Sequence, residues 1–431
     1  MSEASDYIVN LSDPAAEDAG RFGPKAANQA MLDHAGLPTP GGFCLSAQAY
    51  MAQVEALGLT EVAEKAVSLE FFDARPFISQ IRIAMFDAPM IDEIKKPLIQ
   101  AYRDLTGDAG MLVAVRSSSL MEDTEGSSFA GQFQTYLGID NEKDFLTTVH
   151  ACWGALWSSR ALRYMESKNI KAIDTAMSVL VQPLVQAIAS GGGISQTADG
   201  GMSVTATWGL GESIAQGEVV PDRYDLSEDG KLVDMQTGRK SHTIHCTHHA
   251  APTTKAVAED EVSKPCLSDA QAEELGAMMK VAEDLKGGPV EIEWAMDDAG
   301  IKMLQARPLH TEAAPVPDQI WERHPGMKGQ AAGVGWGTGR ACVINCECEL
   351  GRVAPGDVLV TKVAGPAISQ VLPKVSGVVA ELGGSTTHLA SLARERGIPM
   401  VLGVLDATNK IPDGGQVAVD GVAGVVRWVP A

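Results

Sequence analysis

Apolar residues recur at helical spacing from Lys25 to Ala35, Phe145 to Lys168 and Asp269 to Lys286, and the period predicts helices there. Short apolar or alternating runs predict strands at Met111 to Val115, Ser178 to Val185, Val290 to Trp294 and Ile301 to Leu304. Later strands are predicted at Asp357 to Thr361, Gly377 to Ala380, Met400 to Leu402, Gln416 to Val419 and Val425 to Val429, interleaved with a helix at His388. Between the two series, Thr311-Glu312-Ala313-Ala314-Pro315-Val316-Pro317-Asp318 and the residues up to Lys328 carry prolines and no period, which reads as a linker. The fold class is therefore α/β (α+β). A large block covers 1–312, a linker 313–328, and a small α/β domain 329–431.

Composition narrows the functional classes. Net charge is −21 over 431 residues, which argues against nucleic acid or an anionic membrane as partner. A polyanionic ligand then needs a locally basic pocket and metal ions. No apolar run reaches the roughly 18 residues of a membrane span, and the start Met1-Ser2-Glu3 lacks the basic residues of a signal peptide. The odd count of 7 cysteines fits a reducing, cytoplasmic location better than a disulfide scaffold. Cys342, Cys346 and Cys348 lack metal-pair spacing, and the acidic surroundings of Cys346 and Cys348 predict unreactive thiols.

The run Gly383-Gly384-Ser385-Thr386-Thr387-His388-Leu389-Ala390 places a histidine in the first turn of a helix behind a Gly-rich turn. Leu389, Leu392, Ala393 and Arg396 follow at helical spacing, and Gly397 with Pro399 ends the helix. Ser385 or Thr386 is the expected cap. First-turn amides and the positive end of the helix dipole favour an anion on that imidazole, as a phosphoryl carrier requires.

Several segments of the large block suit a nucleoside triphosphate. Phe22-Gly23-Pro24-Lys25 brings a lysine to a helix start. Val115-Arg116-Ser117-Ser118-Ser119, with Glu122-Asp123 and Ser127-Ser128-Phe129-Ala130-Gly131-Gln132, hands an arginine to a loop rich in donors. Gln182, on a predicted strand, offers an amide to an adenine edge, and Trp208-Gly209-Leu210-Gly211-Glu212 adds a Gly-rich turn. On adjacent predicted strands, Glu293 and Gln305 present hard oxygens suited to Mg2+, and Arg307 shares a strand face with Gln305.

The His388 run, continued through Arg394-Glu395-Arg396-Gly397-Ile398-Pro399, resembles the phosphohistidine signature of the phosphoenolpyruvate synthase and pyruvate phosphate dikinase family. In order and spacing the earlier segments resemble that family's ATP-grasp nucleotide domain. The resemblance implies that His388 is phosphorylated from ATP with support from Thr386. It implies that Lys25, Arg116 and Arg307 contact the triphosphate, Gln182 the adenine and Glu212 the ribose side, with Lys240 near the nucleotide. Glu293 and Gln305 would bind Mg2+. It further implies attack on the β-phosphorus, a pyrophosphohistidine, release of AMP and phosphate, and a small domain that swivels on the linker.

The chain departs from the family pattern in places. The usual Gly-Gly-Lys is Gly23-Pro24-Lys25, the Ser-Gly-Val-x-Phe-Thr segment reads Ser190-Gly191-Gly192-Gly193-Ile194-Ser195, and the expected Ser-Pro-Gly is Gly333-Val334-Gly335. The cluster His242, His245, Cys246, His248, His249 invites zinc, but the strand-like spacing of His242 and His245 puts them on opposite faces. Family members usually carry a further acceptor domain, and the sequence shows none after the histidine domain. The expectation is a separate subunit binding a small hydroxyl acceptor, as in phenylphosphate-synthase-like relatives. Competing readings are a stand-alone small-molecule or antibiotic phosphotransferase, a partial phosphoenolpyruvate-synthase-like enzyme, a regulatory relative, and an ATP-grasp ligase in which His388 is idle.

Overall fold

The computed structural model describes residues 7–107, 111–122, 129, 132–197, 200–247, 252–309 and 319–429. Asp123, Ser127, Ser128, Ala130, Gly131, His248, His249 and the expected linker core Thr311 to Asp318 lie outside the described residues. The chain forms two compact units that do not follow chain order: one comprises Met1–Val185, Cys246–Thr253 and Lys302–Arg307, the other Gln186–His245, Thr254–Ile301 and Pro308–Ala431.

The first unit is built on a five-stranded sheet of β1 (Ile8–Asn10), β2 (Phe43–Leu45), β3 (Val113–Ser119), β4 (Thr135–Ile139) and β5 (Met177–Pro183), in the order β1-β2-β5-β3-β4. All of β3 is buried, so this strand holds its side chains in fixed rotamers. The first helix, Ala19–His34, is broken at Gly23, whose φ of 75° leaves Pro24 to open a fresh helical segment. A Cβ at Gly23 would lie 2.3 Å from Ser118 Oγ, so glycine is demanded here by conformation and by space alike. The helix expected from Phe145 to Lys168 is two helices, Glu142–Ala155 and Ser159–Ser167. Asn141 caps the first through Asp144 N (2.9 Å) and Ser158 the second through Ala161 N (3.2 Å). A serine with a free amide to cap therefore outweighs the continuing apolar period.

In the second unit, β6 (Ala189–Ile194), β7 (Met202–Trp208), β8 (Asp222–Leu226) and β9 (Leu232–Gln236) form an antiparallel sheet. After β10 (His242–His245) and β11 (Thr253–Ala256), β12 (Val290–Asp297) pairs with β6. The helix Asp269–Lys286 is as predicted, with a Ser268–Gln271 capping box and Gly287 in the left-handed region at its end. β13 spans Gly300–Pro308.

The rest of the second unit is an eight-stranded mixed sheet of β14 (Gly326–Lys328), β15 (Gln330–Ala331), β16 (Trp336–Ile344), β17 (Val358–Thr361), β18 (Gly377–Ala380), β19 (Met400–Leu402), β20 (Gln416–Asp420) and β21 (Val425–Trp428). Val343, Val358, Val360, Val379, Val401, Val417, Val419 and Val426 fill its core. β18 and β19 run parallel and side by side, and the helix His388–Glu395 is the crossover between them. This topology leaves residues 381–387 as the loop at the carboxyl end of β18, the position where α/β folds place ligands.

One cysteine expectation is overturned. Cys346 and Cys348 are joined as a disulfide, because both are exposed and their Cα atoms lie 5.3 Å apart, within bridging range. Cys44, Cys152, Cys246, Cys266 and Cys342 are free and buried. Among the described residues no helix is long and apolar enough to cross a membrane.

Candidate active site

Within the first unit, charge gathers around β3. Lys25 Nζ donates to Ser117 O (2.9 Å) and pairs with Glu122 Oε1 (2.8 Å), with both side chains at least nine-tenths buried. Arg116, on the next residue of the strand, donates from Nη1 to Leu304 O (2.8 Å) and from Nη2 to Gln305 Oε1 (2.9 Å). Arg307 lies two residues further along β13, half-buried. Lys25, Arg116, Gln305 and Arg307 therefore belong to one compact unit although 282 positions separate the first from the last. In the sequence Glu122 reads only as part of a loop. Its role as the counter-ion of Lys25 had no local signal, because the pair spans 97 positions.

Gln182 is also in the first unit. It is buried on β5 and its Nε2 donates to Gly41 O (3.2 Å), so this amide ties the turn before β2 to the sheet.

Within the second unit, the histidine loop lies on the sheet that carries Glu293. His388 opens the helix His388–Glu395 and is half-buried. The cap is Thr387, whose buried hydroxyl accepts from Ala390 N (3.1 Å), and neither Ser385 nor Thr386 takes that role. Gly384 N-terminal to it closes the turn by accepting from Thr387 N, which pre-sets Thr387 as the capping residue. The paired glycines have separate reasons. Gly383 sits at φ 105°, and a Cβ at Gly384 would lie 2.5 Å from Pro221 Cγ.

Thr386 does not turn toward the cap because Thr205 on β7 holds it, hydroxyl to hydroxyl at 2.7 Å. Register makes this contact informative. Thr205 pairs with Gly192, and Gly192 pairs with Glu293, so the three share one face in a row across β7, β6 and β12. A Cβ at Gly192 would lie 2.7 Å from Thr386 Cβ. The loop bearing His388 thus rests on the row that ends in Glu293.

Further along the same face, Glu291 Oε1 pairs with Arg394 Nη2 (2.9 Å), and Ser391 Oγ donates to both carboxylate oxygens (2.9 and 3.0 Å). Arg394 also donates to Ser385 O (2.6 Å) and Ala332 O (3.0 Å), and all three side chains are buried. Glu291, Ser391 and Thr205 form contacts that local sequence does not reveal. The one available signal was the alternation Glu291-Ile292-Glu293, which puts two carboxylates on one strand face.

The remaining expectations fare differently. Glu212 opens the short helix Glu212–Ala215 and is half-buried. Lys240 is a correction: it has no exposed surface and is ion-paired to the equally enclosed Asp222, which also accepts from Gly238 N (2.7 Å) and Cys266 N (2.8 Å). A sealed, paired ammonium presents nothing to a nucleotide. His242 is half-buried against Glu218 (3.0 Å), and among the described residues no group of three or more His, Cys, Asp or Glu side chains is placed to hold a metal.

Taken singly, the Glu293 carboxylate in the second unit and the Gln305 amide oxygen in the first are hard donors of the kind Mg2+ takes. Gln305 Oε1 already accepts from Arg116, and an sp2 oxygen keeps a second lone pair for a cation. Beside the histidine, Ser385 Oγ is buried with no hydrogen-bond partner among the described residues, a polar atom suited to a phosphoryl oxygen.

Residues 19–325 match the family described as pyruvate phosphate dikinase, AMP/ATP-binding domain, and residues 353–424 match the PEP-utilising enzyme mobile domain. The chain is 32% identical to a probable phosphoenolpyruvate synthase of Methanothermobacter thermautotrophicus over 97% of its own length and 63% of the relative's. It is 31% identical to the phosphoenolpyruvate synthase of Pyrococcus furiosus over 97% of its length and 58% of the relative's. The chain thus spans about three-fifths of the curated relatives it matches. In the first unit Lys25 and Arg116 meet at β3 with Gln305 against the arginine, in the second the histidine loop rests beside Glu293, and the chain belongs to the pyruvate phosphate dikinase AMP/ATP-binding family, with a PEP-utilising mobile domain following in the same polypeptide.

Proposed function

We propose that this chain is a dikinase-type phosphotransferase that takes a phosphoryl group from ATP onto His388. The observation that carries the reading is the seating of Thr386 on the Thr205–Gly192–Glu293 row, which sets the histidine loop beside the expected metal carboxylate. Lys25, Arg116 and Arg307 would bind the triphosphate, with Gln182 toward the adenine and Glu212 toward the ribose, and Glu293 and Gln305 would hold Mg2+. When bound, Mg2+ supplies charge neutralisation on the phosphate oxygens. The imidazole of His388 attacks the β-phosphorus in line, and AMP leaves with the bonding electrons. The resulting pyrophosphohistidine loses phosphate to water and leaves phospho-His388. The chain's own contribution is to position the nucleophile and to meet the developing charge. Residues 313–328 would serve as the linker on which residues 329–431 carry the group away.

The acceptor in this reading is a small alcohol or phenol held by a separate subunit, in keeping with the resemblance to two-component relatives. A pyruvate-type acceptor in the manner of the named synthases is the second reading, favoured by their identity to this chain along 97% of its length. The test uses ATP labelled separately at β and γ, with His388→Ala alongside. Acid-labile β-label on the wild type alone, together with AMP, is expected. γ-Label with ADP would replace the dikinase step with a simple kinase step, and no label on either protein would overturn the reading. Transfer of the label to a phenol by the purified chain alone would remove the separate subunit.

A further inference from the structure

We propose that the face of β6, β7 and β12 is a built seat for the histidine helix, with Glu291 and Arg394 as positioning residues that hold His388 ready for charging. The inference rests on the phosphohistidine reading above. Two independent contacts define the seat. At one end, Thr386 sits on Gly192, where any side chain would collide with it, and bonds to Thr205 at 2.7 Å. At the other, the carboxylate of Glu291 receives the Arg394 guanidinium and the Ser391 hydroxyl from one face of the helix, three residues apart. His388 lies between these contacts in sequence, so both its loop and its helix are anchored to the same sheet.

The energetics favour a latch over incidental packing. A buried carboxylate and guanidinium are tolerable only when paired and hydrogen-bonded, and Arg394 meets both conditions through Glu291, Ser385 O and Ala332 O. Lifting the helix off β12 would break the charge pair but leave the two carbonyl contacts of Arg394 within the histidine domain. The domain therefore keeps its own hydrogen bonds when it departs and finds a carboxylate waiting when it returns. Gly192 is also a departure from the resembled pattern, which carries valine at this place.

The experiment compares the full-length wild type with Glu291→Gln, Gly192→Ala and Arg394→Lys. It reads the rate of β-label entry into His388, the affinity for Mg2+-ATP, and hydrogen exchange of the amides in His388–Glu395. Glu291→Gln and Gly192→Ala are each expected to slow charging about tenfold or more, as expected for an uncompensated buried group or a displaced contact. Exchange of the helix should quicken while nucleotide affinity stays within about twofold of wild type, since Gly192, Glu291 and Arg394 are none of the side chains proposed to contact the triphosphate or the metal. Arg394→Lys keeps the charge but loses the fork, and should fall between wild type and Glu291→Gln. Wild-type charging or unchanged exchange in both Glu291→Gln and Gly192→Ala would overturn the seat. So would a loss of nucleotide affinity in step with charging, which would assign Glu291 to the nucleotide. If no protein takes label yet exchange quickens in the variants, the phosphotransfer reading fails and the seat stands.

Discussion

Lys25 and Lys240 looked alike as candidates for a nucleotide contact, and their surroundings separate them. Lys240 and Asp222 have no exposed surface, and two backbone amides complete the coordination of the carboxylate. This pair is closed: it satisfies buried groups and has no direction open to a ligand. Lys25 keeps a tenth of its side chain exposed, follows the break at Gly23, and meets Glu122 at the edge of the donor-rich loop. An ion pair at such an edge can exchange its carboxylate for a phosphate, because the desolvation cost is already met by the fold and the competing anion carries more charge. The difference teaches that burial alone does not separate the two lysines; the enclosure left incomplete around Lys25 is what keeps it open to the proposed phosphate contact.

The comparison can be broken at several points. Asp222→Asn leaves the Lys240 ammonium buried and unpaired, and should cost about 3–5 kcal/mol in denaturant unfolding; a loss below about 1 kcal/mol would show the pair is not closed. Gly23→Ala forces a side chain into a positive-φ position against Ser118, and should cost on the order of 2–3 kcal/mol while displacing Lys25. Its melting temperature and its Mg2+-ATP affinity should fall together. Lys25→Met leaves the Glu122 carboxylate buried without its counter-ion, and should cost about 1–3 kcal/mol of stability while weakening Mg2+-ATP binding about tenfold to thirtyfold, near 1.4–2 kcal/mol. Calorimetric titration checks it, and unchanged affinity would remove Lys25 from the site. The smallest effect concerns His150 in the first unit, whose Nδ1 lies 2.5 Å from Met85 O. Burial holds this imidazole below its ordinary value of 6.5. A neutral-form preference means stability is present above pH 6.5 and lost as pH falls below it toward the lower folded value. His150→Gln should flatten the change in melting temperature between pH 7.5 and the acid side of that window.

Much of the histidine domain was legible because its signals are local. β18 and β19 stand where the apolar pattern put them, and Gly397, at φ 65°, ends the His388 helix as expected. Where a competing local bond intervened, the pattern misled. Ser158 splits a continuous period into two helices, and Thr387 takes the cap expected of Ser385 or Thr386. The disulfide between Cys346 and Cys348 depended on exposure and Cα separation, which charge and spacing do not reveal.

By itself the sequence determined the classes of chemistry: a histidine at a helix start behind paired glycines, cations and hard oxygens on strands, and a net charge of −21. Tertiary structure decided the partners. It chose Glu122 for Lys25, Asp222 for Lys240, Thr205 for Thr386 and Glu291 for Arg394, across separations from 18 to 181 positions. Periodicity arises from the backbone of each segment alone. A charge pair or a seated loop arises only when distant strands come into register, so its energy is invisible until the chain has folded.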